Sequence, residues 1–256
     1  MKLNYNVEVI AFDGNLNDIK IHQFSSRSNY FVNSIIIETS KSLILFDTQD
    51  ESYAELLLAY IKGLNKPLSR VIISHPHIDH YGGLPVFKDI PSYTTIEILK
   101  DFAIKNLDNK YIPKFAIEPN FEIDNLNFTV LNMVDTHCPN HLVMWIKELS
   151  CVLVADLAQY NGHLLAYDYN GFIKALETIA ELSQGYTTLL SGHGKITTTA
   201  TLQENINYLK ECQKIYLTAI NEEDFDKKLR EKFPNRSRIR VSLGLLLKNK
   251  SFIYKG

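Results

Sequence analysis

The 256-residue chain contains few cysteines, and their spacing excludes two common structural uses. Cys138, Cys151 and Cys212 are an odd number, and no pair of them forms a C-x-x-C motif. The sequence therefore predicts neither a disulfide framework nor a zinc knuckle built from thiolates. We expect all three thiols to be reduced.

Long apolar runs and an excess of charge of one sign are also missing. No apolar stretch approaches the ~18 residues of a membrane-spanning helix, and residues 1–15 lack the pattern of a signal peptide. The 27 basic and 29 acidic residues are well mixed and give a net charge of -2, which supplies no field for polyanions. We therefore predict a cytoplasmic protein with a small-molecule substrate and neither a nucleic-acid nor a membrane partner.

The organisation of the chain favours one domain. Hydrophobic residues make up 45% of the sequence, enough for a substantial core, and no repeat, low-complexity tract or Gly/Pro/Ser-rich linker divides it. We predict a single domain over residues 1–256, with a mainly helical C-terminal extension from about residue 200. This extension is expected to shape the pocket or to form a homodimer contact.

Apolar runs rich in β-branched residues alternate with segments of helical periodicity. The runs predict strands over residues 6–12, 31–39, 42–47, 70–74, 127–134, 142–146, 151–156 and 187–192. Helices are predicted over 51–63, 95–107, 170–183, 200–220 and 222–232, with Asn170 and Gly185 as caps of the third. Residues 238–256 are ambiguous between strand and helix. Strands paired early and helices inserted later suggest two mixed sheets layered with helices.

The segment SHPHIDHYGG, residues 74–83, holds three of the eight histidines and an aspartate within six positions. Such a stretch is either a polar surface loop or a metal site. Ligand-type residues elsewhere favour the metal site, because five predicted strands each end in one or more of them. These residues are Asp47; His75, His77, Asp79 and His80; His137; Asp156; and His193. Strand ends converge at one edge of a sheet and point such side chains into a common crevice.

The donor types in this set indicate the metal. Imidazole nitrogens and carboxylate oxygens without thiolates suit zinc, with iron or manganese as lesser alternatives. The ligands suffice for two ions, and Asp156 has two oxygens with which to bridge them. Hydrolytic centres with two metals hold them ~3.5–4 Å apart.

The order of these motifs resembles that of the metallo-β-lactamase-fold superfamily. The matching elements are Asp47 in LFDTQ, the H-x-H-x-D-H signature from His75 to His80, His137 in THCPNH, Asp156 in LVADL and His193 in SGHGK. The resemblance spans roughly residues 30 to 200. It implies an α/β fold in which two mixed β-sheets flanked by helices form an αββα sandwich, with the metals in a cleft at one edge.

The resemblance also implies roles for individual residues. His75, His77 and His137 would hold the first zinc ion; Asp79, His80 and His193 would hold the second; and Asp156 would bridge them. Asp47 would order the ligand loop by hydrogen bonding rather than bind metal. Metal-bound hydroxide would attack the substrate, and Asp79 would take or shuttle the proton.

Departures from the family pattern lie around the third and fourth motifs. Asn140 and His141 replace the usual small turn, and His141 is expected to be a hydrogen-bonded structural residue. Tyr160 lies four residues after Asp156, similar in position to the tyrosine of lactone-cleaving members, and is a candidate catalytic residue. Tyr81 and His163 are weaker candidates, and His22 lies too early in the chain to belong to the site.

The leading hypothesis is a metal-dependent hydrolase, with two zinc ions, that cleaves a small ester, lactone, thioester or amide. A phosphodiesterase or nuclease of the same superfamily would use the same metals, but the charge balance lacks the basic surface it needs. A mononuclear-iron dioxygenase acting on persulfides needs only the first three histidines. A metal-binding protein without enzymatic activity would not need the second ligand set. The lack of an export signal argues against a secreted β-lactamase.

Overall fold

The computed structural model describes residues 4–16, 18–27, 31–164 and 166–237. A first sheet of seven strands runs in chain order, antiparallel from the first to the fourth strand and parallel from the fourth to the seventh. Its strands are β1 (Tyr5–Ala11), β2 (Lys20–Ser26), β3 (Asn33–Glu38), β4 (Leu43–Phe46), β5 (Leu68–Ile72), β6 (Ser92–Thr94) and β7 (Phe115–Ala116).

A second sheet has six strands, of which only one neighbouring pair is parallel. The strands are β8 (Asn120–Ile123), β9 (Leu126–Val134), β10 (Asn140–Ile146), β11 (Cys151–Ala155), β12 (Thr188–Ser191) and β13 (Thr197–Thr198). Their order across the sheet is β13-β12-β11-β10-β9-β8, and the parallel pair is β11 with β12.

Helices flank the two sheets. They are α1 (Glu51–Gly63), α2 (Ile78–Tyr81), α3 (Ile96–Ile104), α4 (Tyr169–Leu182), α5 (Ala200–Thr218) and α6 (Glu222–Lys232), and short 3-10 helices cover Gly14–Leu16, Leu84–Phe87 and Asn109–Tyr111. The five predicted helices are all present, so the helical segments beyond residue 200 are confirmed.

The central strands β10 and β11 of the second sheet are buried on both faces, whereas β9 alternates between buried and exposed residues over most of its length. Successive side chains of a strand point to opposite sides. Along β10, Leu142 and Met144 pack in the core shared with the first sheet, whereas Val143 and Trp145 pack in a second core beneath α4 and α5. This alternation makes the second sheet an inner layer of the molecule. The predicted αββα sandwich is therefore confirmed.

The caps of α4 differ from the prediction. The N-cap is Asp168 rather than Asn170, and its carboxylate accepts a hydrogen bond from the backbone N–H of Gly171. The C-cap is Ser183, two residues before Gly185. An acidic side chain at the N-cap satisfies a backbone donor that the helix itself leaves unpaired.

Several short elements have no counterpart in the prediction, namely β2, β6, β7, β8, β13 and α2. In β2 the buried side chains include His22 and Gln23, so its apolar alternation is too weak to mark a strand. The prediction for residues 238–256 lies outside the described residues. Within the described ranges, no helix is long and apolar enough to cross a membrane.

Candidate metal centre

The ligand-type residues of the sequence motifs meet at the edge where β4, β5, β9, β11 and β12 end. Asp47 directly follows β4, and Asp156 directly follows β11. His137 lies in the turn between β9 and β10, and His193 lies two residues after β12. The H-x-H-x-D-H segment follows β5 and continues into the short helix α2, which carries Asp79 and His80.

A first group joins three imidazoles and one carboxylate from both sheets. His75 Nε2 lies 3.1 Å from His77 Nδ1 and 3.1 Å from His137 Nε2. Asp156 Oδ2 lies 3.5 Å from His137 Nε2 and 3.9 Å from His75 Nε2. Ligands about 2.0–2.1 Å from a tetrahedral zinc ion are separated from one another by roughly 3.3 Å. The spacing of this group therefore matches a tetrahedral metal site.

A second group lies on the other side of Asp156. Asp79 Oδ2 lies 3.6 Å from His80 Nε2 and 3.8 Å from His193 Nε2. Asp156 reaches this group as well, with Oδ1 3.2 Å from His80 Nε2 and Oδ2 3.1 Å from His193 Nε2. The ligand atoms within each group lie within 4.8 Å of one another. Asp156 is thus the carboxylate that, among the described residues of these groups, contacts histidines of both groups.

Hydrogen bonds on the far side of two histidines fix which ring nitrogen carries the proton. Ser74 Oγ donates to Asp47 Oδ2 at 2.7 Å, so His75 Nδ1–H donates to Ser74 Oγ at 2.9 Å. His80 Nδ1–H donates to Asp47 Oδ2 at 2.8 Å. In both rings Nδ1 donates outward, and Nε2 faces the centre. Such orienting bonds are typical of histidines that bind metal.

His193 is oriented by the backbone of the other sheet. Its Nδ1 lies 3.3 Å from the carbonyl oxygen of Phe31. A carbonyl can only accept, so Nδ1 carries a hydrogen, and Nε2 faces Asp156 Oδ2 at 3.1 Å.

Two buried atoms at the centre lack the partners that buried polar atoms normally have. His80 Nε2 and Asp156 Oδ1 make no hydrogen bond with any described residue, although they are only 3.2 Å apart. An unsatisfied buried polar atom costs about 1–3 kcal/mol. A divalent cation would satisfy both atoms at once, so the residues present fit such a cation.

The electrostatics of the first group also suit metal binding. Burial lowers the pKa of His75 and His137 well below the usual value for histidine, and neighbouring imidazoles lower both further. Burial also lowers the pKa of His77, to about 4. Near pH 7 these three rings are neutral, which is the form that coordinates a cation.

At Asp156 and His80, neighbouring charges shift the pKa in the direction opposite to the effect of burial, and they outweigh it. Burial alone would raise the pKa of Asp156, but His193 and His80 hold it well below its usual range. Burial alone would lower the pKa of His80, but the carboxylates of Asp156, Asp79 and Asp47 raise it. The centre therefore holds concentrated negative charge in a buried place.

The remaining candidates from the sequence lie outside the two ligand groups. Buried His141 stacks on His75 with ring centroids 4.5 Å apart, and burial lowers its pKa to about 3. Tyr160 is 46% exposed, and Lys195 Nζ lies 3.8 Å from the centre of its ring. Tyr81 packs on Phe102 in the core.

Two further histidines are bound elsewhere. His163 Nδ1 lies 2.8 Å from the hydroxyl of Tyr208. His22 lies between Tyr60 and Glu38, with 2.8 Å and 2.9 Å between the bonded atoms. The prediction that His22 does not belong to the constellation agrees with this position.

Sequence reasoning overlooked three residues that support the centre. Ser74 joins Asp47 to His75, and its only signal was its position directly before the histidine motif. A Cβ on Gly192 would lie 2.4 Å from Asp156 Oδ1 and 2.8 Å from His80 Cε1, so the centre requires a glycine there. Lys105 donates a hydrogen bond to the Pro76 carbonyl between two ligand histidines, and no motif marks it.

Comparison with known proteins agrees with this arrangement. The sequence profile of the family described as "Metallo-beta-lactamase superfamily" matches residues 27–193, which includes every residue of the two ligand groups. The chain belongs to the metallo-beta-lactamase superfamily. Together with the two ligand groups, membership identifies the chain as a metallo-hydrolase of this superfamily.

Individual relatives in the superfamily are distant. A "Metallo-beta-lactamase type 2" of Bacillus cereus is 22% identical over 187 residues, covering 70% of this chain and 73% of the relative. An "Atrochrysone carboxyl ACP thioesterase" of Claviceps purpurea (strain 20.1) is 25% identical over 166 residues, covering 64% of this chain and 51% of the relative. Among solved structures, the "Metallo-beta-lactamase from Pontibacter korlensis" aligns with a TM-score of 0.68 and 18% identity over 80% of this chain and 99% of its own.

Proposed function

We propose that the protein binds two zinc ions and hydrolyses a small ester, lactone, thioester or amide. His75, His77 and His137 would hold one ion, and Asp79, His80 and His193 the other. The observation that carries the proposal is the position of Asp156, whose carboxylate contacts both ligand groups. A carboxylate between two sets of imidazole nitrogens suits a bridge between two cations.

Divalent cations bound there would lower the pKa of a coordinated water to about 7 and polarise a substrate carbonyl. The chain's own residues would then manage the protons. Asp79 is the ligand-group carboxylate most open to the cleft, with 16% of its side chain exposed against 12% for Asp156. We assign Asp79 Oδ2 the role of accepting a proton from the attacking water and delivering it to the leaving group.

Tyr160 is proposed to bind the substrate. It lies four residues after Asp156, and its exposed ring is held under the ammonium group of Lys195. A cation–π contact of this kind restrains both side chains. The phenol hydroxyl would donate a hydrogen bond to the carbonyl oxygen of the substrate and stabilise the charge that develops on it.

The substrate range follows from charge and from the relatives. A net charge of -2 supplies no basic surface for a nucleic-acid backbone, so we propose a small molecule rather than a nuclease substrate. The relative named as a thioesterase supports the inclusion of thioesters. The buried second ligand group supports two cations over the single iron of a persulfide dioxygenase.

The experiment is metal analysis combined with a substrate panel. The purified protein would be stripped, reloaded with zinc, iron(II) or manganese, and assayed on chromogenic esters, homoserine lactones, glutathione thioesters, cephalosporins and bis-phosphate esters. Iron-loaded protein would also be tested for oxygen uptake on glutathione persulfide.

We expect about two zinc ions per chain, and His77→Ala should lose metal and reduce hydrolysis by 100-fold or more. Asp89→Asn, at an exposed position away from the centre, is the control and should retain both. Wild-type protein without stoichiometric metal, together with unchanged hydrolysis by His77→Ala, would exclude the proposal. Oxygen uptake by the iron form alone would replace it with the dioxygenase.

A further inference from the structure

His193 lies in a short segment whose own backbone does little to fix its conformation. It follows the end of β12 and lies between two glycines, Gly192 and Gly194, the second with φ at +88°. Glycine leaves the backbone many alternative conformations. The position of the imidazole must therefore be held by other parts of the chain.

That support comes from the start of β3, in the opposite sheet. The backbone N–H of Asn33 donates to the Gly192 carbonyl at 2.7 Å, and the Phe31 carbonyl accepts from His193 Nδ1 at 3.3 Å. Val32 and His193 also pair as an isolated antiparallel bridge. Three consecutive residues of one sheet thus contact the segment that carries a ligand from the other.

The side chain of Asn33 makes the most complete of these contacts. It is 2% exposed, and its amide nitrogen donates to the carbonyls of Ser191 at 2.9 Å and Gly194 at 2.8 Å, on either side of His193. Its amide oxygen accepts from Ser25 Oγ at 2.7 Å. Asparagine is suited to this place because its amide has two N–H donors and an acceptor oxygen. Gln23 makes a weaker contact with the same segment, because its amide nitrogen donates a single hydrogen bond to it, to the Gly194 carbonyl at 3.0 Å.

We infer that Asn33 is a positioning residue for the second ligand group, and that its amide sets the affinity for the second cation. The inference rests on the proposed function. His193 is the second-group ligand that the Asn33 amide brackets, whereas His75, His77 and His137 are held by other segments. Loss of the amide should therefore lower the affinity for the second cation selectively.

Asn33→Asp is the sharpest variant, because it keeps the size of the side chain and the acceptor for Ser25. It replaces the amide donor with a carboxylate oxygen that faces two carbonyls. Gln23→Met is milder, since it removes one hydrogen bond to the Gly194 carbonyl and a longer one, of 3.4 Å, to Ser25 Oγ. The matched control is Asn205→Asp, because buried Asn205 also donates to two backbone carbonyls, those of Gln159 and Thr201. Gln159 lies three residues after Asp156, the side chain shared by the two groups. Any effect of this control on zinc affinity should therefore be equal for the two ions.

The readout is the pair of stepwise zinc affinities, measured by competition with a chromophoric chelator, together with melting curves of the metal-free proteins. Loss of an orienting partner typically costs 10–100-fold in metal affinity, so Asn33→Asp should raise the second Kd by roughly that factor. The first Kd should stay at the wild-type value. Gln23→Met should show a smaller change in the same direction, and it provides the test if Asn33→Asp does not fold.

The inference would be overturned if Asn33→Asp raised both zinc Kd values equally, or if a folded variant kept the wild-type second Kd. Either result would leave the hydrolase proposal standing. Wild-type protein that binds one ion at saturating zinc would overturn the inference and also the two-zinc part of the proposed function. Wild-type protein that binds no zinc would remove the proposed function itself.

Discussion

Asp47 and Ser74 are joined by two hydrogen bonds, from the Ser74 N–H to Asp47 Oδ1 at 2.8 Å and from Ser74 Oγ to Asp47 Oδ2 at 2.7 Å. Through Ser74, Asp47 orients His75 in the first ligand group, and it orients His80 in the second group directly. One buried carboxylate that binds no metal in our assignment therefore controls one imidazole in each group.

Replacement of Asp47 should weaken both metal positions. Asp47→Asn leaves only one acceptor oxygen. Its amide NH2 then faces either the Ser74 N–H, or both Ser74 Oγ and His80 Nδ1. We expect both zinc affinities to fall by roughly 10–100-fold. Zinc titration against a chelator measures this, with Asp89→Asn as the control. Selective loss of one ion would contradict the common role of Asp47.

Gly192→Ala should disrupt the centre by steric contact. The new Cβ would lie 2.4 Å from Asp156 Oδ1 and 2.8 Å from His80 Cε1, so the shared ligand must move. We expect metal content and hydrolysis to be lost together. The matched control is Gly63→Ala at the end of α1, where a Cβ meets no atom within 4 Å and alanine is favoured in a helix by up to about 1 kcal/mol. Normal metal content in Gly192→Ala would show that the centre tolerates the displacement.

Tyr160→Phe should separate turnover from metal binding. The ring and its contact with Lys195 are retained, while the hydroxyl donor is removed. If the hydroxyl stabilises developing charge on the substrate, kcat should fall by roughly 100-fold or more while zinc content stays constant. Lys195→Met, which keeps the hydroxyl but releases the ring, should retain more activity than Tyr160→Phe. Unchanged kcat in Tyr160→Phe would remove Tyr160 from the proposed mechanism without affecting the metal ligands.

Stability in acid should depend on Glu38, far from the catalytic chemistry. Burial alone would raise the pKa of this carboxyl, but hydrogen bonds from Lys66 and His22 outweigh it and lower the pKa below the ordinary 4.5. A lowered folded-state pKa means that the stabilisation is full above the unfolded-state pKa and is lost as pH falls through the folded-state pKa.

The measurement compares wild type with Glu38→Gln by urea unfolding between pH 7 and pH 3, with a chelator present throughout. Glu38→Gln should be less stable at pH 7, and the difference should shrink below about pH 4.5. Exposed Glu55→Gln serves as the control. A difference that grows on acidification would contradict the assigned direction of the pKa shift.

The sequence was sufficient to predict the helices, the main strands and the layered fold. Regular apolar periodicity marks α1, α4 and α5, because each buries one face against a sheet. The prediction failed for β2, whose buried side chains include the polar His22 and Gln23. His22 is bonded to Tyr60 and Glu38, and the Gln23 amide nitrogen donates to the Gly194 carbonyl; a single sequence does not reveal such partners.

The sequence by itself determined which side chains we propose as ligands, because each stands just after an apolar strand and strand ends meet at a common edge. Only the tertiary structure decided that Asp156 lies between two groups, that Ser74 and Asp47 set the ring tautomers, and that residue 192 must be glycine. The physical reason is separation along the chain. The hydrogen bond from Asn33 to the Ser191 carbonyl joins residues 158 positions apart, and no local pattern encodes such a contact.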